Sequence, residues 1–240
     1  MQQPALRAVA IKSEAQQAVL ALHRMRSQWV KFRTAQINGL RGLLAEYGQV
    51  MPQGRAGISQ GIATALAHLV ERLPAMLLDS LREQWARVGQ LNDRVAQIER
   101  HLRAWHKQDK ASGRIAEIPG VGLLTATAAV AAMGDPKNFK SGREYATWLG
   151  LVPKHTGTGG RIRMLGMSKR GDTCLRTLLI HGARSVIAHS KQPSRWVMNL
   201  LQRRPANVAV VALANEMART IWALLAHERE YCKGYVSQSA

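Results

Sequence analysis

A stripe of apolar residues repeats every seven positions between residues 81 and 105 of this 240-residue chain. It consists of two rows offset by three positions, namely Leu81, Val88, Val95 and Leu102, and Leu91, Ile98 and Trp105. Such a pattern predicts a long amphipathic helix whose apolar seam packs against another helix. Two alternatives fit it: an antiparallel hairpin with an earlier helix of the same chain, or a dimerisation arm between two chains.

Helical periodicity also dominates the rest of the chain. It predicts a first helix from a cap at Ser13 to about Tyr47, and a second over about Ser59 to Leu73, ended by Pro74. A final helix is predicted from Val208 to about Tyr231. The face that we expect this helix to bury consists of Val208, Val211, Asn215, Ala218, Trp222 and Leu225.

The polar stretch Lys107 to Arg114 is interpreted as a boundary, since glycines become frequent after it. We therefore predict a helical coiled-coil and dimerisation region over residues 1–110. Residues 111–240 are predicted to form a compact helical domain with a helix-hairpin-helix motif and a Gly-rich loop. The expected fold class is mainly α, with a long helical coiled-coil arm followed by this domain.

The charge of the chain restricts its partners. The net charge is +19 and the isoelectric point about 11.1, which argues against a typical enzyme of small metabolites and favours phosphate backbones as partners. Cys174 and Cys232 form neither a disulfide framework nor a zinc motif. The first ten residues do not resemble a signal peptide, and we found no apolar run of membrane length. We therefore expect a cytoplasmic protein without a membrane partner.

The segment from Ile118 to Gly122 reads Ile-Pro-Gly-Val-Gly and precedes an apolar helix. Glycine allows a tight turn, and free N–H groups at a helix start attract a phosphate. Gly120 and Gly122 are therefore candidates for contact with a nucleic-acid backbone, as in helix-hairpin-helix modules. The alternative is an ordinary glycine turn between packed helices.

Residues 140–184 carry nine Lys or Arg against Glu144 and Asp172. Within them, a Gly-rich loop runs from Thr156 to Arg163, and a hydroxyl there is suited to attack phosphorus while arginines neutralise the charge. The loop is not a P-loop, because no Gly-Lys-Ser/Thr follows it. The nucleic-acid-binding candidates in this region are Lys154, Gly159, Gly160, Arg161, Arg163, Lys169, Arg170 and Arg176.

No spacing typical of metal ligands is present, so we expect no metal site and no cofactor in this chain.

Several short segments occur in an order that resembles a known family. They are Pro119-Gly120-Val121-Gly122, the run from Tyr145 to Lys154, Gly159-Gly160, the run from Ser168 to Asp172, and Leu175-Arg176. Together they are similar to the middle and C-terminal domains of the DEDD insertion-sequence transposases related to the Piv DNA invertase, which are bridge-RNA-guided recombinases. The resemblance extends over about Ile118 to Leu225, and the helical region before it resembles the family's coiled-coil region.

The resemblance implies a catalytic serine just before a glycine of the Gly-rich loop, and here Thr158 occupies that position. Threonine keeps the hydroxyl but adds a methyl group that narrows its rotamers. Ser168 is a backup candidate. In the family, a RuvC-like domain binds Mg²⁺ through four acidic residues. This sequence has no counterpart to it, so we expect an N-terminally truncated transposase that is inactive alone.

The partners that the resemblance implies are the DNA of insertion-sequence ends and targets, a guide RNA and further copies of the chain. We therefore expect a DNA transposase or recombinase of an insertion sequence. The alternative is a non-catalytic nucleic-acid-binding remnant or regulator. A third interpretation, a helical scaffold with incidental charge, predicts weak binding that is lost near physiological salt.

Overall fold

A computed structural model describes residues 11–159 and 161–232, without the side chains of Arg55, Thr158 and Ile162. These residues form nine α-helices, one short 3-10 helix over Pro136–Asn138 and one two-stranded sheet, which confirms the mainly α prediction. In chain order the elements are α1 (Glu14–Glu46), α2 (Gly54–Leu69), α3 (Ala75–Gln108), α4 (Lys110–Ala116), α5 (Leu123–Met133), α6 (Gly142–Trp148), β1 (Pro153–Thr158), β2 (Arg161–Met167), α7 (Thr173–His189), α8 (Arg195–Arg203) and α9 (Ala206–Ala226).

The contacts divide the chain into two units. The central unit is Ala21–His101, and the terminal unit comprises the residues up to Leu20 and from Leu102 onward. Their boundaries fall inside α1 and α3. The functional division at residue 110 stays a prediction.

Helix α1 starts where its sequence predicts. The Ser13 hydroxyl accepts a hydrogen bond from the Gln16 backbone N–H at 3.2 Å, and the Gln16 side chain accepts one from the Ser13 N–H at 3.1 Å. These two bonds form a capping box, which satisfies N–H groups that a helix start leaves free. Helix α2, in contrast, starts at Gly54 and ends at Leu69, about four residues earlier at each end than predicted.

Most of the apolar stripe of α3 is buried, although Leu91 and Trp105 are only half-buried and the last two members, Leu102 and Trp105, lie in the terminal unit. Leu81 and Val88 are 1% exposed and belong to a core cluster shared with α1 and α2. Arg26 of α1 forms an ion pair with Glu99 at 2.7 Å, and Arg33 donates to Asn92 at 3.1 Å. The later residue of α1 contacts the earlier residue of α3, so the two helices run antiparallel. The same-chain hairpin is therefore observed, and the dimerisation arm stays a prediction.

The core of the terminal unit is built around α5 and α9. Every residue of α5 from Thr125 to Met133 is buried. Helix α9 packs against α4, α6, α7 and α8. Among the described residues, α9 is the one helix long and apolar enough to cross a membrane, which corrects our expectation that no stretch reached that length. Seven of its 21 residues are buried in the core of the terminal unit, which accounts for part of its apolar composition.

The buried face of α9 differs from the predicted one. Val208 is 48% exposed, whereas Ala209 and Val210 are buried. The helix is apolar around most of its circumference, so periodicity alone does not fix which stripe is buried. Asn215 donates a hydrogen bond to the Leu151 carbonyl at 3.3 Å, which satisfies the polar residue on the predicted face.

The polar stretch after α3 is a junction between helices and not a linker. Helix α3 continues to Gln108, and the Asp109 carboxylate caps α4 by accepting from the Ser112 N–H at 2.6 Å. The Ser112 hydroxyl also contacts His106 Nδ1 at 2.5 Å. Polar residues in this stretch therefore serve as caps, a role that composition alone does not distinguish from a loop.

Candidate nucleic-acid interface

The Gly-rich segment forms an antiparallel ribbon, β1–β2, where the sequence analysis expected a loop. Thr158 pairs with Arg161, so two residues connect the strands, and the first, Gly159, has φ of +60°. Tight hairpin turns require positive φ, which glycine adopts without steric strain. Gly160 lies outside the described residues. The sequence feature that could have predicted the ribbon is the pair Gly159-Gly160, which lies between two segments of strand length.

The ribbon register brings several candidates onto one face. Residues directly opposite each other share a face, as do residues two apart in one strand. Thr156 pairs with Arg163 and residue 158 pairs with Arg161, so these four positions share a face, which we call the basic ribbon face. Thr156, Arg161 and Arg163 are exposed, and the side chain of Thr158 lies outside the description. Sequence reasoning missed Thr156 because it assumed a loop.

Lys154 is exposed near the start of β1, where the register shifts between Pro153 and His155. Lys169 and Arg170 are exposed just after β2. The residues that flank the two strands, 149–152 and 168–172, are called the ribbon base. The ribbon and the ribbon base therefore present cationic side chains to solvent.

Arg176 does not belong to this exposed set, which corrects its assignment as a nucleic-acid ligand. The side chain is 7% exposed. Its guanidinium donates to the Leu149 carbonyl at 3.0 Å, to the Arg170 carbonyl at 3.4 Å and to the Thr173 hydroxyl at 3.1 Å. These groups accept from both of its terminal nitrogens, so the side chain holds the end of α6 to the start of α7 and does not face a phosphate.

The turns at Gly150 and Gly171 pack closely against each other beside Arg176. Gly150 has φ of +72° and Gly171 has φ of +100°. A Cβ on Gly150 would run into the Arg170 carbonyl oxygen, and a Cβ on Gly171 would run into the Trp148 carbonyl oxygen. This close approach requires glycine at both positions.

The start of α7 fixes the other side of the ribbon base. The Asp172 carboxylate caps α7 by accepting from the Leu175 N–H at 2.9 Å. Lys169 adopts φ of +56°, and its N–H donates to the Gly150 carbonyl at 3.2 Å. The base of the ribbon is thus fixed through main-chain contacts, which leaves the Lys169 and Arg170 side chains free to bind an anion.

Ser168 is a poor nucleophile in this structure. Its hydroxyl is buried and has no hydrogen-bond partner within residues 11–159 and 161–232. Its N–H donates to the Val152 carbonyl at 2.8 Å, so the residue closes the ribbon base. A phosphodiester on the surface does not reach a buried hydroxyl, and we do not retain Ser168 as a catalytic candidate.

The Tyr145 hydroxyl is likewise buried without a partner in the described part of the chain. Burial, and then the charge of Asp172, raise the pKa of Tyr145 above its ordinary value. The ring stacks on Trp148 with centroids 5.9 Å apart and meets Phe139 edge-on at 5.1 Å. Tyr145 is therefore a neutral core residue behind the ribbon base.

The two glycines between α4 and α5 differ in their surroundings. Gly120 has φ of +86°, and an added Cβ would lie 2.8 Å from the Gly182 carbonyl oxygen of α7. Gly122 caps α5, is exposed and has open space where a Cβ would lie. Gly120 is thus required for helix packing, whereas Gly122 remains a candidate for phosphate contact.

Across residues 11–159 and 161–232, no three His, Cys, Asp or Glu side chains are grouped so as to hold a metal ion. The donor set that the family resemblance implies for Mg²⁺ is therefore not found in this part of the chain.

Comparison with known proteins gives consistent results. A family model described as "Transposase IS116/IS110/IS902 family" matches residues 112–197, from α4 into α8. A probable family 20 transposase of Pseudomonas aeruginosa is 45% identical over 236 residues, which are 96% of this chain and 70% of that protein. The transposase for insertion sequence element IS1111A of Coxiella burnetii is 39% identical over 94% of this chain and 63% of its own length.

A more distant relative is the pilin gene-inverting protein of Moraxella bovis. It is 22% identical over 159 residues, which are 65% of this chain and 48% of that protein. The chain spans between 63% and 70% of the length of the first two relatives.

Proposed function

The chain belongs to the IS116/IS110/IS902 family of insertion-sequence transposases, and from this we propose that it binds the DNA of an insertion sequence through the basic ribbon face. The family assignment confirms the transposase prediction, and the pilin gene-inverting protein is a distant relative. We further infer that the chain corresponds to the middle and C-terminal domains of the bridge-RNA-guided enzymes.

One observation carries the proposal: Arg161 and Arg163 share the exposed face of a ribbon that is fixed at its base. A two-stranded ribbon has the right width to enter the major groove of duplex DNA. Guanidinium groups bind phosphate oxygens with paired N–H donors. Lys169 and Arg170 at the ribbon base add two further cations, which suits a backbone that carries one charge every few ångströms.

We propose that Thr158, whose position lies opposite Arg161, is the nucleophile. In the proposed step, the Thr158 hydroxyl oxygen bonds to phosphorus and the bond to the leaving strand oxygen breaks. The proton that the hydroxyl gives up passes to the leaving oxygen, and a covalent protein–DNA link remains. The flanking arginines stabilise the charge that develops on the phosphoryl oxygens. The Mg²⁺ implied by the family enters no step here, since the described residues offer no donor set for it.

We expect the double variant Arg161→Ala/Arg163→Ala to lose affinity for duplex DNA and part of its salt dependence. Each phosphate contact contributes about 0.9 to the slope of log K against log salt, so the slope should fall by about 1.8. Fluorescence anisotropy with a labelled duplex over a range of NaCl concentrations measures both quantities.

The matched control is Arg72→Ala/Arg82→Ala, which removes two exposed arginines of the central unit. It should keep the slope of the wild-type chain. Equal slopes for the two double variants would show that binding reflects net charge alone, as the scaffold interpretation predicts.

We expect Thr158→Ala to abolish strand transfer while DNA binding persists, with a loss on the order of 10³-fold or more. Thr158→Ser keeps the hydroxyl and should retain activity. The measurement is the transposition frequency of the complete element, with guide RNA present, alongside anisotropy for binding. Wild-type frequency with Thr158→Ala would instead favour the alternative, a non-catalytic nucleic-acid-binding regulator.

A further inference from the structure

A groove of about 600 Å³ runs along the face of α1 and α3 within the central unit. Trp29 and Phe32 line it from α1, and their rings meet edge-to-face with centroids 5.8 Å apart. Neither ring belongs to the apolar core cluster of this unit, and Phe32 is 45% exposed. Trp29 is half-buried, and the two rings together form an apolar patch rimmed by polar side chains, which is typical of a binding surface.

Ala35 and Leu91 add apolar surface to the lining, and its other four residues carry cationic or amide groups. Arg87 and Arg94 line the groove from α3, together with Gln90 and, from α1, Gln36. Arg87 forms an ion pair with Glu83, while Arg94 makes no ion pair with any described residue. The lining therefore combines flat apolar rings, a free positive charge and side chains that donate and accept hydrogen bonds.

This combination fits single-stranded nucleic acid. An unpaired base stacks on an aromatic ring, amides contact its edge and guanidinium groups neutralise the flanking phosphates. A second copy of the chain fits less well, because the helix that supplies the rings is itself strongly basic. From Ala21 to Glu46 its charged residues are Arg24, Arg26, Lys31, Arg33, Arg41 and the single acid Glu46. Like charges would meet if α1 of one copy packed against α1 of another.

We propose that this groove, formed by Trp29, Phe32, Arg87 and Arg94, binds an unpaired nucleobase of single-stranded DNA or RNA. The inference extends the proposed function to a second surface, in a unit that does not contain the ribbon. It rests on nucleic acid being the ligand of the chain, but not on the ribbon or on Thr158.

The test is anisotropy of the full chain with labelled oligothymidine, oligouridine and a duplex. Phe32→Ala should weaken single-strand binding by at least about fivefold, while Phe32→Tyr, which keeps the stacking ring, should bind as wild type does. Arg94→Ala should also weaken single-strand binding. Duplex affinity should stay within about twofold for all three variants. A 5-iodouracil oligonucleotide should crosslink to the peptide that contains Trp29 and Phe32.

Met76→Ala and Arg72→Ala are the matched controls, since they remove an exposed apolar side chain and an exposed arginine of the same unit that do not line the groove. Both should bind single strands normally. Unchanged single-strand binding by Phe32→Ala and Arg94→Ala would overturn the inference. So would a Phe32→Ala variant that loses only self-association in sedimentation velocity, which would assign the groove to a second copy.

The outcomes separate this inference from the proposed function. Loss of duplex binding in the ribbon variants together with intact single-strand binding in Phe32→Ala rejects the groove and keeps the ribbon. Intact duplex binding in the ribbon variants together with weakened single-strand binding in Phe32→Ala rejects the ribbon and supports the groove.

Discussion

Replacing Arg176 with Met is expected to lower the free energy of unfolding by about 3 kcal/mol. The guanidinium is buried and donates to the Leu149 and Arg170 carbonyls and to the Thr173 hydroxyl. Methionine fills similar space but donates nothing, so the buried Leu149 carbonyl loses its side-chain donor, at about 1–3 kcal/mol when no water reaches it, and the part-buried contacts to Arg170 and Thr173 are lost as well. Urea unfolding followed by circular dichroism measures the difference.

Two comparisons make the Arg176 prediction specific. Arg176→Lys keeps a charge but lacks the planar fork that serves several acceptors, so it should recover only part of the stability. Arg163→Met changes an exposed arginine of the ribbon and should alter stability by less than about 0.5 kcal/mol. If both Met variants unfolded at the same urea concentration, Arg176 would not hold the ribbon base.

Replacing Gly171 with Ala is expected to lower the free energy of unfolding by about 3 kcal/mol or more, from a strained positive φ and a clash with main chain. The added Cβ would press on the Trp148 carbonyl oxygen, which belongs to rigid backbone at the end of α6. Neighbouring atoms cannot yield as a flexible side chain would. In a thermal scan this corresponds to a melting temperature about 10 °C lower.

Gly113→Ala in α4 is the matched glycine control within the terminal unit. Gly113 is exposed, and nothing lies within 4 Å of the position of its missing Cβ. Alanine in a helix interior is favoured over glycine by about 0.5–1 kcal/mol, so this variant should be slightly more stable. If Gly171→Ala had the same melting temperature as Gly113→Ala, the close packing of the turns at Gly150 and Gly171 would be contradicted.

The sequence alone predicted those features that depend on local pattern. The Ser13 cap, the extent of α1 and the burial of Leu81 and Val88 all follow from residue spacing. The cationic character of residues 140–184 and the short motifs that led to the family are likewise visible without a structure. Such signals are local because capping and helix periodicity involve residues three or four apart.

The features that the sequence did not predict depend on contacts between segments that are far apart in the chain. Arg163 and Arg176 are similar in the sequence, yet one lies on an exposed ribbon and the other is buried against carbonyls. Gly120 was predicted to contact a phosphate, but packing against Gly182 is what excludes a side chain there, and a Cβ on Gly171 is likewise excluded by the Trp148 carbonyl oxygen.

The mainly helical fold class, the Ser13 cap of α1 and the sign of the charge were thus set by the chain itself, since they arise from neighbouring residues and composition. Tertiary structure alone decided which cations face solvent, which hydroxyls are buried and which stripe of α9 enters the core. The reason is that burial and hydrogen-bond satisfaction are properties of packed surfaces, and a packed surface is assembled from residues that are far apart in sequence.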